Sequence, residues 1–268
     1  MSHRFRQINA FTSRPFTGNP AAVVLLDEPR PDAWLQSIAR EFNLSETAFL
    51  WPSSTCDADW SLRWFTPRQE VDLCGHATLA SVHALREWGL VQEGATRFDT
   101  RSGILKARFS EEEIALDFPA TPPEPSEVPP GLLQVLGASH EEVLWCGRSR
   151  FDIVLQLDSV ETVARLQPDF ASLKTFEARG VCVTAEGAGC ACDFVSRFFA
   201  PRVGVDEDSV TGSAHCSLAP FWAHKLGKSA FLARQLSERG GELKVQVLGE
   251  RVELSGACVT ILEGEVLR

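Results

Sequence analysis

The chain has 268 residues, 44% hydrophobic and 23% charged. That is enough to bury one large core or two ordinary ones, and it excludes a disulfide mini-protein, a disordered chain and a collagen-like fibre. A formal charge of −10 without a basic cluster argues against a nucleic-acid partner, and the lack of a run of about 18 apolar residues argues against a membrane span.

In chain order, residues 21–27 are a continuous apolar run, read as a buried strand. Residues 32–42 carry Trp34, Leu35, Ile38 and Phe42 at helical spacing. Residues 61–65 alternate as a strand, 75–88 read as a helix, and 96–101, 105–109 and 114–118 read as a β-meander. Six of the 15 prolines fall between residues 119 and 130, which predicts a stiff, extended linker. A strand is expected at 152–158, a helix at 159–166, strands at 180–184 and 192–199, and a helix at 212–223. Closing strands are expected at 231–237, 243–248, 252–255 and 259–262. Pro220 removes a hydrogen bond from the last helix and predicts a kink.

The chain repeats itself at half its length. Arg63-Trp64-Phe65-Thr66-Pro67-Arg68 reads against Arg197-Phe198-Phe199-Ala200-Pro201-Arg202 at an offset of 134. Gly75-His76-Ala77 reads against Gly212-Ser213-Ala214 at an offset of 137, and Gly103-Ile104-Leu105-Lys106 against Gly241-Glu242-Leu243-Lys244 at 138. Three matches in order, with a slowly drifting offset, predict a duplicated unit. The expected architecture is α+β, with domains at 1–123 and 124–268. Each is a mixed sheet wrapped around one helix that is apolar nearly all round and therefore buried.

A buried helix cannot satisfy its first N–H groups with water. Both central helices begin at a glycine, Gly75 and Gly212, which lets a ligand approach the backbone, and a helix N-terminus favours an anion. If the halves face each other, the two tips converge on one cleft that accepts a carboxylate. The plainer alternative is that Thr211 or Ser213, and Asp72 or Asp208, merely cap their own helices.

Asn19-Pro20-Ala21-Ala22-Val23, Asn43-Leu44-Ser45-Glu46-Thr47-Ala48-Phe49, the stretch from Glu70 to Thr78, and Asp208-Ser209-Val210-Thr211-Gly212-Ser213-Ala214-His215 resemble the signature blocks of the PhzF-like family of phenazine-biosynthesis isomerases. The resemblance implies the diaminopimelate-epimerase fold, homodimers, a small anionic metabolite as substrate, and neither metal nor organic cofactor. It implies Glu46 as catalytic acid/base, with His76 and Asp208 as its catalytic companions. Ser213 matches a further active-site position of the family, and the helix starts and the first block add Asn19, Cys74, Gly75, Ala77, Thr211 and Gly212 as candidate substrate-binding positions. Ser209 stands where the family carries proline. In the related epimerases both helix starts carry a cysteine. Here Cys74 has Thr211 as its repeat partner, so a two-thiol racemase lacks its second thiol.

Proton abstraction from carbon needs a base in reach, donors for the developing anion and exclusion of water. Glu46 has apolar neighbours, Leu44 and Phe49-Leu50-Trp51, which predict a partly buried carboxyl. A single such group can take a proton from one carbon and return it to another. The competing readings are a racemase using Cys74 and a non-catalytic small-molecule binder. The eight cysteines are scattered behind a start, Met1-Ser2-His3-Arg4-Phe5-Arg6, without the apolar stretch of a secretory signal. They are read as reduced, mostly buried thiols of a cytoplasmic protein, Cys190 and Cys192 included.

Overall fold

Nine residues that carry no clear strand pattern open the molecule as β1 (Ser2–Ala10). It pairs antiparallel with β2 (Asn19–Leu25) in the computed structural model, which describes residues 2–110 and 113–267. α1 (Asp32–Phe42) then crosses to β3 (Glu46–Pro52), which lies parallel to β2, as a crossover connection requires. Leu35 and Ala39 of α1 pack with Val24, Phe49 and Phe65. β4 (Trp60–Phe65) returns antiparallel to β3, and β5 (Glu70–Val71) pairs briefly with β4. The buried helix α2 (Gly75–Glu87) leads to β6 (Gly94–Thr100), parallel to β4, and to the meander of β7 (Gly103–Phe109) and β8 (Ile114–Pro119).

The second half repeats the plan. β9 (Glu124–Pro125) and α3 (Leu132–Leu136) precede β10 (Val143–Arg148) and β11 (Asp152–Leu157), which pair antiparallel. α4 (Val160–Arg165) and α5 (Phe170–Leu173) cross to β12 (Gly180–Glu186), parallel to β11. β13 (Phe194–Ala200) is antiparallel to β12, and β14 (Val205–Glu207) pairs with β13. After α6 (Gly212–Leu226), β15 (Ala230–Gln235) lies parallel to β13 and β16 (Gly241–Leu248) antiparallel to β15. β17 (Arg251–Gly256) follows. The run of antiparallel, parallel, antiparallel, parallel and antiparallel pairings is therefore the same in both halves, which gives the sequence repeat its structural meaning.

The repeated arginine has one job in each copy. The guanidinium of Arg63 donates twice to Glu70, at 2.6 Å each, and that of Arg197 donates to both oxygens of Glu207 at 2.7 and 2.9 Å. Each bidentate pair ties the short strand after the motif back to the strand that carries it.

Chain packing groups Met1–Asp117 with Ser255–Arg268 in one unit and Phe118–Leu254 in the other. This departs from the expected division into 1–123 and 124–268. The final strand, β18 (Cys258–Leu267), pairs antiparallel along β1, with Ser2 opposite Leu267. The proline-rich segment is not a free spacer but is pinned along the second unit. The N–H of Ala120 donates to Glu250 O at 2.8 Å, that of Thr121 to Cys216 O at 3.0 Å and that of Ser126 to Cys146 O at 3.1 Å. The Thr121 bond also explains how α6 tolerates Pro220. Proline cannot donate to Cys216 O four residues back, and Thr121 supplies the missing donor, so the helix runs on to Leu226.

Cys190 and Cys192 are joined by a disulfide, contrary to the expected free thiols. The expected strand over 192–199 starts at Phe194, because these residues form the turn before it. Cys74, Cys146, Cys182 and Cys216 are buried free thiols, whereas Cys56 is exposed. Among the described residues no helix is long and apolar enough to cross a membrane.

Candidate active site

Asn19 and Glu46 open the neighbouring parallel strands β2 and β3, with Ala21 opposite Glu46. The start of α2, which packs on these strands, adds Cys74, Gly75, His76 and Ala77. Four expected polar residues of the first unit therefore meet. The Oε2 of Glu46 lies 3.2 Å from Nε2 of His76, and the two side chains are 18% and 7% exposed. Nδ1 of His76 lies 3.5 Å from Sγ of Cys74 and 3.3 Å from Nδ2 of Asn19. Asn19 is fully buried, and its Oδ1 accepts from the Ser45 hydroxyl at 3.4 Å. The Asn19 amide thus meets the ring at Nδ1 and leaves Nε2 as the edge that faces the Glu46 carboxyl.

Burial pushes the Cys74 thiol up, against the pull of the neighbouring His76, so the thiol is protonated at neutral pH. Burial works against a charged His76, but the neighbouring Cys74 and Glu46 groups outweigh it and hold the imidazole well above its ordinary value. The cluster is thus a chain of groups able to hold and move a proton. One ligand atom from each of Glu46, Cys74 and His76 lies within 4.8 Å of the others, a donor set that zinc accepts. Yet the thiol approaches His76 at Nδ1 and the carboxyl at Nε2. One ion cannot take both through the same ring nitrogen without turning the ring.

Cys74, the residue before α2, is extended, with φ −146° and ψ 112°, and its side chain makes no cap hydrogen bond. Thr211 stands in the same place before α6 and likewise does not cap the helix with its side chain. Of the capping residues expected from sequence, Thr211 does not cap its own helix. Asp72 is exposed and its side chain lies 3.8 Å from Arg101.

In the second unit, Asp208, Thr211, Gly212 and Ser213 share the loop and first turn at the start of α6. The Thr211 hydroxyl donates to the Asp208 carboxyl at 2.7 Å. A residue missed from sequence, Gln235, organises this loop. Its Oε1 accepts from the Thr211 N–H at 2.9 Å, and its Nε2 donates to Asp208 O at 2.7 Å. Gln235 is 1% exposed and falls in the buried phase of β15 with Phe231 and Ala233. An amide at a position where alternation calls for an apolar side chain was the available signal. Ser209, in place of the resemblance's proline, has its carbonyl held by the Ser237 hydroxyl at 2.7 Å. Hydrogen bonds thus do what a fixed φ would otherwise do. His215, one turn into α6, is fully buried. Its Nδ1 donates to Thr211 O at 2.8 Å, and its ring stacks on Phe194. Burial lowers its pKa to about 4, although the bond to Thr211 opposes the shift.

Comparison with known proteins shows the family. The family profile of Phenazine biosynthesis-like protein matches residues 8–264. An uncharacterized isomerase of Pseudomonas aeruginosa is 50% identical over 262 residues, covering 96% of either chain. The crystal structure of a phenazine biosynthesis protein of the PhzF family from Enterococcus faecalis superposes with a TM-score of 0.93 at 40% identity, covering 100% of both chains. A hydroxyproline epimerase from Agrobacterium vitis, at 15% identity and a TM-score of 0.64, covers 99% of this chain and 92% of its own, and shares the fold. The chain therefore belongs to the phenazine biosynthesis-like, or PhzF, family of isomerases, on the α+β fold those proteins share with the epimerases.

Proposed function

We propose that this isomerase moves a proton between two carbons of a small carboxylated metabolite, with Glu46 as the group that carries it. The observation that supports this most is the half-buried Glu46 carboxyl beside His76 at the uncapped start of a buried helix. Glu46 as carboxylate takes a proton from carbon. The electron pair delocalises into the substrate, and the same carboxyl returns the proton at a second carbon. The positive charge held on His76, and the N-terminus of α2 with Gly75 and Ala77, favour the anion that develops between the two transfers. Asn19 and Cys74 hold the His76 ring in position. We assign Asp208, Thr211, Gly212 and Ser213 to binding the polar groups of the substrate. The family resemblance supports a reaction without metal or organic cofactor, and a homodimer.

The test is a metabolite screen by thermal shift, followed by NMR of each hit in D₂O. The native protein incorporates solvent deuterium into its substrate. Glu46→Gln melts normally and still binds the carboxylate, but incorporates none. Full exchange in that variant removes Glu46 from the mechanism. Absence of exchange in the native protein with every bound ligand favours the non-catalytic binder.

A further inference from the structure

The turn between β12 and β13 carries a group that the proton chemistry does not use. Cys190 and Cys192 are bonded across a single residue, and both are only partly buried. The entropic stabilisation from a cross-link grows with the loop it closes, so a bridge around one residue constrains the unfolded chain very little. The turn is also closed by other means. The N–H of Gly187 donates to Asp193 O at 2.8 Å and that of Cys190 to Gly187 O at 3.0 Å. Asp193 is anchored in turn. Its N–H donates to Leu232 O at 2.7 Å, its carboxyl accepts from the Leu232 N–H at 2.8 Å, and it pairs with Lys228. A Cβ on Gly187 would stand 2.2 Å from Cys192 O, so only glycine lets the chain fold back this closely. The backbone therefore keeps the two sulfurs adjacent whether or not they are bonded.

We propose that Cys190 and Cys192 are a thiol–disulfide exchange site that accepts two electrons from a small-molecule thiol. A thiolate attacks one sulfur, the bond between the cysteines breaks, and the released cysteine leaves as a thiolate and takes up a proton. A second thiolate then attacks the added sulfur of the mixed disulfide. The small disulfide departs, and the second cysteine takes up a proton. The balance is one protein disulfide and two thiols giving one protein dithiol and one small disulfide. Partial exposure admits the attacking thiol, and a short-range, weakly structural bridge is the kind that exchanges. Buried Cys182 and Cys216 do not compete as nucleophiles, because burial pushes both thiols up.

The experiment equilibrates the native, full-length chain in glutathione buffers from wholly oxidised to wholly reduced. The sample is then acid-quenched, alkylated in denaturant and read by peptide mass spectrometry. The peptide holding Cys190 and Cys192 is expected to pass reversibly from the bonded to the doubly alkylated form. Cys190→Ser is expected to trap glutathione on Cys192. The double variant Cys190→Ala/Cys192→Ala is expected to melt like the native chain and lack the two-electron step. A peptide doubly alkylated in every buffer, or bonded in every buffer, overturns the proposal.

Discussion

At the start of α2 a carboxyl, a thiol and an imidazole lie within 4.8 Å of one another. Around the start of α6 lie instead a buried amide, the Thr211 hydroxyl and one carboxyl, joined by hydrogen bonds at 2.7 to 3.1 Å. Each helix also buries a histidine in its first turn, and the two are displaced in opposite directions. His76 has acidic neighbours that overcome burial, whereas His215 has a carbonyl and an aromatic face, so burial prevails. Duplication supplied one backbone twice. The side chains then surround the histidine of one helix start with acidic groups and that of the other with a carbonyl and an aromatic ring.

The largest test of that contrast is Glu46→Gln. General acid–base catalysis contributes about 10²–10⁴-fold, and solvent exchange into the substrate is expected to fall by at least that much while the melting temperature stays within a few degrees. The next is the response of stability to pH. His215 titrates near 4 when folded and near 6.5 when unfolded. Its neutral burial carries no penalty above pH 6.5, and stability falls as pH drops from 6.5 towards 4, by roughly 3 kcal/mol in total. His76 runs the other way. Its favourable contribution is complete below pH 6.5 and is lost as pH rises through its elevated folded value. Urea melts between pH 4 and 9 on His215→Phe and His76→Asn separate the two. His215→Phe flattens the acid limb only, and an unchanged acid limb shows that His215 takes up its proton as readily in the folded chain as in the unfolded one.

Gln235→Ala comes third. It strands the Thr211 N–H and Asp208 O, and an unmade buried hydrogen bond costs about 1–3 kcal/mol. At roughly 2–4 °C per kcal/mol for a chain of this size, calorimetry resolves the loss. A melt identical to the native one shows that the loop needs no such anchor. The smallest effect is expected for Cys74→Ser. As a neutral neighbour of His76 its loss changes turnover by about tenfold or less, ~1.4 kcal/mol. Abolished turnover, with substrate protecting the native thiol from iodoacetamide, instead favours the racemase reading.

The elements that local pattern can encode were legible. α1 fills 32–42 as its apolar spacing predicts, and both central helices begin at the expected glycines. β1, β3 and β10 were not read as strands. In β1 and β10 the polar and apolar residues follow no clean alternation, and β3, which opens on polar Glu46 and Thr47, buries residues 47–50 in one run. Their pairing is set by partners far along the chain. The same reason hid the return of β18 to β1, since a repeat at half-length assigns every residue to its own half. At the site, Glu46 and His76 could be named but not joined, because strand and helix meet only in three dimensions. Gln235 escaped because an amide inside a strand resembles any surface residue until its phase is counted.

The pairing of β18 with β1 sets an order of assembly. A ribosome delivers β1 before either unit is complete, yet the strand that covers its flank follows all of residues 118–254. Until then β1 offers an open edge to any passing strand. Translation arrested within the second unit leaves that edge bare. The nascent chain thus carries that bare edge throughout the making of its second unit, an interval in which a chaperone has a strand to cover.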